Sequence, residues 1–159
     1  MKQLVVFYTR TGTTKRIGEE IAAALGADVD EIVDQKSRKG SIRWLKAGRD
    51  AMQQNLTDIT IQQSPEDYDV IIIGTPIWSG KMTPAVRTYL TNYQFTNKKV
   101  AFFTTQDSDD AVKTMIEMES MVPSSEVIGT LSIKRDDAKT TQYKASLQAF
   151  IEQLKHFSH

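Results

Sequence analysis

The sequence predicts an α/β domain built on a five-stranded parallel sheet in the order 2-1-3-4-5, covered by helices on both faces. Short apolar runs recur along the chain, segments with helical periodicity separate them, and two of the strand segments alternate between apolar and polar residues. Crossover connections between parallel strands are right-handed, so helices are placed on both faces of such a sheet.

The strands differ in how far they are expected to be buried. Residues 4–7, 70–73 and 100–103 are continuous apolar runs rich in β-branched or aromatic residues, which is typical of central strands covered on both faces. The segment containing Val29 and Val33, and residues 127–133, follow the period of two that marks half-exposed strands. Strands two and five are therefore predicted at the edges.

Helices are predicted between these strands because apolar residues recur at helical spacing. The first helix is expected over residues 15–25, before Gly26, and the helix after the third strand is expected to begin near Ala85. The apolar positions that carry these predictions are Ile17, Ile21 and Leu25; Val86 and Leu90; Val112, Met115 and Ile116; and Tyr143, Leu147, Phe150, Ile151 and Leu154.

Residues 1–159 are interpreted as one domain with an extra helical segment at about 36–60, in which a helix is expected over 41–54. The first half of this segment interleaves apolar Ile42, Trp44 and Leu45 with the basic residues Lys36, Arg38, Lys39, Arg43, Lys46 and Arg49. The favoured interpretation is a solvated basic face whose apolar side packs against the body. The alternative is a docking patch for an acidic partner or a nucleotide phosphate.

Composition excludes several classes of function. The chain has no cysteine, and its 20 basic and 20 acidic side chains cancel, so neither disulfides nor a general affinity for nucleic acid is expected. The first apolar run is too short for a signal peptide or a membrane span, which favours a cytoplasmic protein without a membrane partner. Because His156 and His159, the only histidines, lie at the C-terminal end, we expect no metal site and no dedicated catalytic residue.

The loop after the first strand is a candidate phosphate site. It reads Thr9, Arg10, Thr11, Gly12, Thr13, Thr14 and leads into a helix, whose first amides and dipole favour an anion. The alternative is that these threonines only form a capping turn. The loop lacks both the Walker pattern and the spaced glycines of a dinucleotide fingerprint, which argues against ATP and NAD as resident ligands.

The loop after the third strand suits a flat ring system. It contains Thr75, Pro76, Ile77, Trp78, Ser79 and Gly80, which combine one large aromatic residue with small neighbours. In an open α/β sheet the carboxyl ends of strands one and three lie side by side at the ligand crevice. The two loops are therefore expected to form one site.

Together, Thr-x-Thr-Gly-x-Thr after the first strand and Gly-Thr-Pro-Ile-Trp-x-Gly-x-x-x-Pro after the third resemble the flavodoxin-like family over nearly the whole chain. Residues 44–51 resemble an insertion in a bacterial and archaeal branch of it. The resemblance implies a three-layer sandwich that binds FMN, with residues 9–14 on the phosphate and 76–80 along the isoalloxazine. Trp78 would then stack on the ring or cover its edge, with a core role as the alternative, and the Ser79-Gly80 peptide would meet flavin N5.

The loop after the fourth strand departs from the family pattern. No aromatic residue occurs in it, although flavodoxins usually place there a ring that stacks on the outer flavin face. One flavin face is then either open or covered by another segment. Thr104, Thr105 and Gln106 are expected at the pyrimidine edge, and Asp107 or Ser108 is expected to cap the next helix.

Three functions fit the resemblance. The first is an FMN electron carrier between redox partner proteins, acting as a monomer or a dimer. The second is a small NAD(P)H-dependent FMN reductase that acts on quinones or similar small-molecule acceptors, and the third is a non-redox member of the fold. They are ranked in that order.

Overall fold

The computed structural model describes residues 1–36, 41–108 and 110–158, and of Ser41 and Ile42 only the backbone. The strands are β1 (Gln3–Phe7), β2 (Asp28–Glu31), β3 (Val33–Asp34), β4 (Ile59–Thr60), β5 (Val70–Trp78), β6 (Lys81–Met82), β7 (Lys99–Gln106) and β8 (Glu126–Lys134). The helices are α1 (Thr13–Leu25), α2 (Ser41–Met52), α3 (Pro84–Asn92), α4 (Val112–Ser120), α5 (Arg135–Ala138) and α6 (Lys144–His156). Arg38, Lys39 and His159, named above, lie outside the described residues.

Five parallel strands form the central sheet, in the order β2-β1-β5-β7-β8. This confirms the predicted order 2-1-3-4-5 and places β2 and β8 at the edges. The short β6 pairs antiparallel with the end of β5, and β3 pairs antiparallel with β4. The extra segment, at about residues 36–60, therefore contains α2 and β4, and β4 pairs with β3 just before the segment.

Alternation along the buried strands separates two cores. Leu4, Val6 and Ile73 face one side of the sheet and pack with apolar residues of α2, α3 and α4. Val5 and Phe7 face the other side and pack with residues of α1 and α6. Because successive side chains of a strand point to opposite faces, a continuous apolar run supplies both cores at once.

Several boundaries differ from the sequence prediction, and two of them concern the strands β5 and β3. β5 continues to Trp78, so residues 74–78 are strand and not loop, because they remain paired with β7 as far as Pro76 opposite Thr105. Val33 was expected to continue the second strand, but it lies in β3, paired with Thr60.

The helix predicted from Val112, Met115 and Ile116 is present as α4, but these three apolar side chains do not all face the sheet. Val112 is 65% exposed and Ile116 62%, whereas Met115 and Met118 are buried against the sheet. Helical spacing shows which apolar residues share a face of the helix. It does not show which face packs against the sheet when the helix has two apolar faces.

On α2, the structure shows how the extra segment meets the rest of the chain. Ala47 and Ala51 are fully buried and Trp44 packs against the same core, as the favoured interpretation expected. Leu45, in contrast, is 75% exposed.

Candidate functional site

Three predicted segments converge at the carboxyl edge of the central strands. Tyr8, just beyond β1, donates its backbone N–H to the carbonyl of Gly74 in β5, at 3.2 Å. Thr75 lies opposite Thr104 in the register of β5 and β7. The loops that follow β1, β5 and β7 therefore begin side by side, as the parallel sheet requires.

The first loop leaves the start of α1 open. Gly12 occupies the position before the helix with φ 103°, a left-handed conformation that glycine adopts without steric cost, and no side chain of the described residues caps the helix there. The Thr9 hydroxyl accepts the Gly12 N–H at 3.0 Å, outside the helix itself. No acidic residue lies in the first turn. The amides of the first turn and the positive end of the helix dipole therefore face the loop, the arrangement that binds phosphate groups.

Thr14 ties this loop to the fourth strand. Its hydroxyl shares a buried hydrogen bond with that of Thr105, at 2.9 Å. Thr11 is exposed, and Thr9, Arg10 and Thr13 are half-buried. Of the four threonines, Thr14 therefore has its hydroxyl in use within the protein core, while the others border the open start of α1.

The predicted ring loop is a tight hairpin between β5 and β6. Trp78 pairs with Lys81, and the two residues between them, Ser79 and Gly80, both have positive φ, at 51° and 74°. Two-residue turns with this backbone match the natural twist of the strands they join. The Thr114 hydroxyl of α4 donates to the Gly80 carbonyl at 3.1 Å and so fixes the turn from the side.

Thr75, which was predicted to bind cofactor, is fully buried. Its hydroxyl donates to the Pro76 carbonyl at 2.8 Å and bonds to the Thr83 hydroxyl at 3.1 Å. Thr83 in turn accepts the N–H of Val86 and caps α3. In this structure the Thr75 hydroxyl thus anchors the hairpin to α3.

Trp78 is 2% exposed and lies in the core. Its indole ring packs edge-on against Tyr8, at 5.5 Å between ring centroids, and against Trp44, at 5.2 Å. Its indole N–H is buried with no hydrogen-bond partner among the described residues. The alternative of a core residue thus describes this conformation, and a stacking role for Trp78 stays a prediction.

Sequence reasoning missed the position of Trp44. The prediction treated it as part of the apolar side of a basic helix, whereas its ring contacts Trp78 and lies under the Arg10 guanidinium, 4.4 Å from the ring centroid. The resemblance of residues 44–51 to a family insertion marked the segment, but it did not indicate these contacts. The contact depends on how α2 is folded back over the sheet, which only the tertiary structure shows.

Residues 104–108, predicted as the fourth loop, contain no aromatic side chain, and Thr104 to Gln106 form the end of β7. The Thr104 hydroxyl donates to the Gln106 side-chain carbonyl at 3.0 Å, and Thr104, Thr105 and Gln106 are all buried. The expected cap by Asp107 or Ser108 was wrong. Ala111 precedes α4 without a side-chain cap, and Asp107 instead forms an ion pair with Arg135, at 3.5 Å.

One ion-pair cluster lies behind the hairpin. Glu117 of α4 pairs with the largely buried Arg87 of α3, and with Lys81 of β6 at 3.3 Å. Desolvation raises the pKa of Glu117, but the hydrogen bonds and charges of Arg87 and Lys81 outweigh it and hold the pKa below its usual value. On the β2 side, a hydrogen bond to Asp28, together with burial, raises the pKa of the Tyr68 phenol to about 12.

Two further observations concern metals and membranes. Within residues 1–36, 41–108 and 110–158, no group of three or more histidine, aspartate or glutamate side chains is arranged to hold a metal ion. Across the same part of the chain, every helix is too short or too polar to cross a bilayer.

Comparisons with known proteins agree with this architecture. A flavoprotein from Lactobacillus acidophilus NCFM, solved in complex with FMN, is 23% identical with a TM-score of 0.69, over 90% of this chain and 98% of that chain. Flavodoxin 1 from Bacillus cereus is 20% identical with a TM-score of 0.58, over 98% and 99%. A Streptococcus pneumonia TIGR4 flavodoxin is 18% identical with a TM-score of 0.55, over 98% and 99%.

At these identities the structures share the fold with this chain. No curated protein matches the sequence significantly. A family model described as Flavodoxin, however, matches residues 2–145, nearly the whole chain. The chain therefore belongs to the flavodoxin family.

Proposed function

We propose that this chain binds FMN at the carboxyl edge of its sheet and carries electrons between redox partner proteins. The main support for the proposal is the start of α1, which follows Gly12 in the first loop and is not capped by a side chain of the described residues. The FMN-bound relative from Lactobacillus acidophilus NCFM supports the choice of ligand, because it shares this fold.

The chemistry of the donors fits a flavin phosphate. The hydroxyls of Thr9, Thr11 and Thr13, together with the first amides of α1, are neutral donors that bind an anion without a metal ion. The absence of an acidic residue in the first turn removes a charge that would repel the phosphate.

The ring end would be formed by the Ser79-Gly80 turn, with Pro76 and Ile77 before it and Thr104, Thr105 and Gln106 beside it. In the described structure, Thr104 and Gln106 bond to each other and Thr105 to Thr14. FMN supplies the redox chemistry when it is bound, and the protein contributes binding, orientation and the electrostatic environment. This division of work needs no catalytic side chain.

Binding is tested by titrating the purified protein with FMN and recording the quenching of flavin fluorescence. Thr11→Glu, which places a carboxylate at the start of α1, is expected to abolish binding by repelling the phosphate. Thr96→Glu is the matched control, because Thr96 is an exposed threonine before β7, at the opposite edge of the sheet. Equal FMN affinity of the two variants would contradict the phosphate assignment.

Electron transfer is tested on the loaded protein. A carrier is expected to be photoreduced in two resolved one-electron steps and to show no steady oxidation of NAD(P)H. Steady NAD(P)H oxidation with a quinone would instead identify a reductase. A colourless protein that does not take up FMN would identify a non-redox member of the fold.

A further inference from the structure

Trp44 lies where α2 meets both predicted motifs. Its ring packs edge-on against Trp78, with centroids 5.2 Å apart and the planes at 88°. The guanidinium of Arg10 lies 4.4 Å from the centroid of the same ring. One side chain of the extra segment therefore contacts the phosphate loop and the strand that leads into the hairpin.

The contacts link four side chains in a row. Trp78 also packs edge-on against Tyr8, at 5.5 Å, and Tyr8 precedes the phosphate loop by one residue. The row of contacts thus runs from the end of β1 through β5 and α2 to the loop after β1, in the order Tyr8, Trp78, Trp44, Arg10.

α2 lies directly against the hairpin at this point. A Cβ atom on Gly48 would be 3.0 Å from the Ser79 hydroxyl oxygen, closer than most Cβ contacts in proteins. Ala47, beside it, is fully buried. Small residues on this face of α2 therefore bring the helix close enough for Trp44 to contact the site.

We propose that Trp44 is a positioning residue for FMN, which rests on the proposed function above. It orders the Arg10 guanidinium beside the phosphate loop and supports Trp78 below the hairpin, so that one side chain coordinates the phosphate end and the ring end of the site. A stacked arginine has already lost most of its rotamer freedom, so less is lost when the ligand binds. The extra segment is then an element of cofactor binding.

A double-mutant cycle in FMN affinity tests this role. Arg10→Met removes the charge and Trp44→Leu removes the aromatic face, and each is expected to weaken FMN binding by about three- to tenfold, the range of a partly exposed cation–π contact. Because both changes break the same contact, the loss of binding free energy in the double variant should be smaller than the sum of the two single losses.

Two further variants separate positioning from folding. Trp44→Phe keeps an aromatic face under Arg10 and should recover most of the affinity. Leu45→Ala is the matched control on the same helix, since Leu45 points to solvent, and it should bind FMN like the unmodified chain. Riboflavin lacks the phosphate. The loss of affinity from the unmodified chain to Trp44→Leu should therefore be smaller for riboflavin than for FMN.

The contact also has a readout without flavin. The chain has two tryptophans, so Trp78→Phe leaves Trp44 as the only one. Adding Arg10→Met to that variant should change the emission of Trp44 and increase its quenching by acrylamide, a neutral quencher, because the guanidinium no longer covers the ring. Unchanged emission and quenching would overturn the proposed contact.

The two proposals fail in different ways. Additive losses in the cycle, or a Trp44→Phe variant as weak as Trp44→Leu, would overturn the positioning role while FMN binding by the unmodified chain stands. An unmodified chain that binds no FMN would overturn the proposed function and this inference with it.

Discussion

Threonines that look alike in the sequence have different roles in the structure. The hydroxyls of Thr75 and Thr83 hydrogen-bond to each other and fix the hairpin to α3. The Thr9 hydroxyl instead accepts a hydrogen bond from the Gly12 N–H within the first loop. Thr14 points inward to Thr105. A hydroxyl serves as donor or acceptor wherever its backbone places it, so residue type alone does not distinguish a binding threonine from a structural one.

Thr14→Val should destabilise the protein by about 1–2 kcal/mol, because it leaves the buried hydroxyl of Thr105 without this partner. The free energy of unfolding is measured by urea denaturation. Adding Thr105→Val removes the unpaired group, so the double variant should be more stable than the sum of the single losses predicts. A strictly additive pair would contradict a shared buried hydrogen bond.

At the scale of elements, the hairpin between β5 and β6 joins three helices. Thr114 of α4 bonds to it, Thr83 of α3 anchors its base, and α2 packs beside Ser79. Its two-residue turn needs positive φ at both central positions. The geometry of the predicted ring site therefore depends on elements distant in sequence.

Gly80→Ala should destabilise the chain by about 1–2 kcal/mol, since φ at this position is +74° and a Cβ atom is strained there. The added atom meets no neighbour within 4 Å, so the cost is one of backbone conformation and not of a clash. Thermal and urea denaturation measure the effect. Ser79→Gly, which relieves the same strain one residue earlier, should be neutral or slightly stabilising; a loss of stability there would contradict this account.

The ion pairs of Glu117 with Arg87 and Lys81 join α4 to α3 and β6. The stability that they give the folded chain should depend on pH. Since its partners lower the pKa of Glu117 in the fold, the folded chain holds this proton less tightly than the unfolded chain. The stabilisation is therefore complete above the unfolded value of 4.5 and is lost as the pH falls through the lower folded value.

Glu117→Gln should accordingly cost about 2 kcal/mol at neutral pH, because it leaves Arg87 largely buried without its counter-charge. The difference between the unmodified chain and the variant should shrink on acidification, as measured by urea denaturation at several pH values. A difference that stays constant down to about pH 3.5 would show that the carboxylate charge contributes nothing.

At the scale of the whole molecule, the sheet has a core on each face and the predicted site at its edge. The loops of the site are the ends of the buried strands, so the rigid part of the molecule positions them. A ligand that binds only the folded chain stabilises all of it, and the stabilisation grows with ligand concentration.

FMN at about 100 times its dissociation constant should stabilise the fold by about 2.7 kcal/mol, which corresponds to a melting temperature roughly 5–10 °C higher. Differential scanning calorimetry measures the shift. Thr11→Glu should melt near the same temperature as the unmodified chain without FMN and show little shift with it. An equal shift in both would place the ligand away from the first loop.

The sequence by itself determined the fold class, the strand order and the converging loops. Residues 4–7, 70–73 and 100–103 are apolar throughout, and burial on both faces of a parallel sheet requires such runs. Once the order is known, the carboxyl ends of strands one and three must lie side by side. These properties follow from local patterns and from rules of topology.

Only the tertiary structure decided which faces meet. In the folded chain Trp78 is buried, whereas Val112 and Ile116 are exposed. Trp44 lies against the Arg10 guanidinium, although the two residues are 34 positions apart in the sequence. These outcomes depend on how close two elements approach and how they are rotated, which is fixed by packing among residues distant in sequence. A pattern along one segment contains no information about that partner.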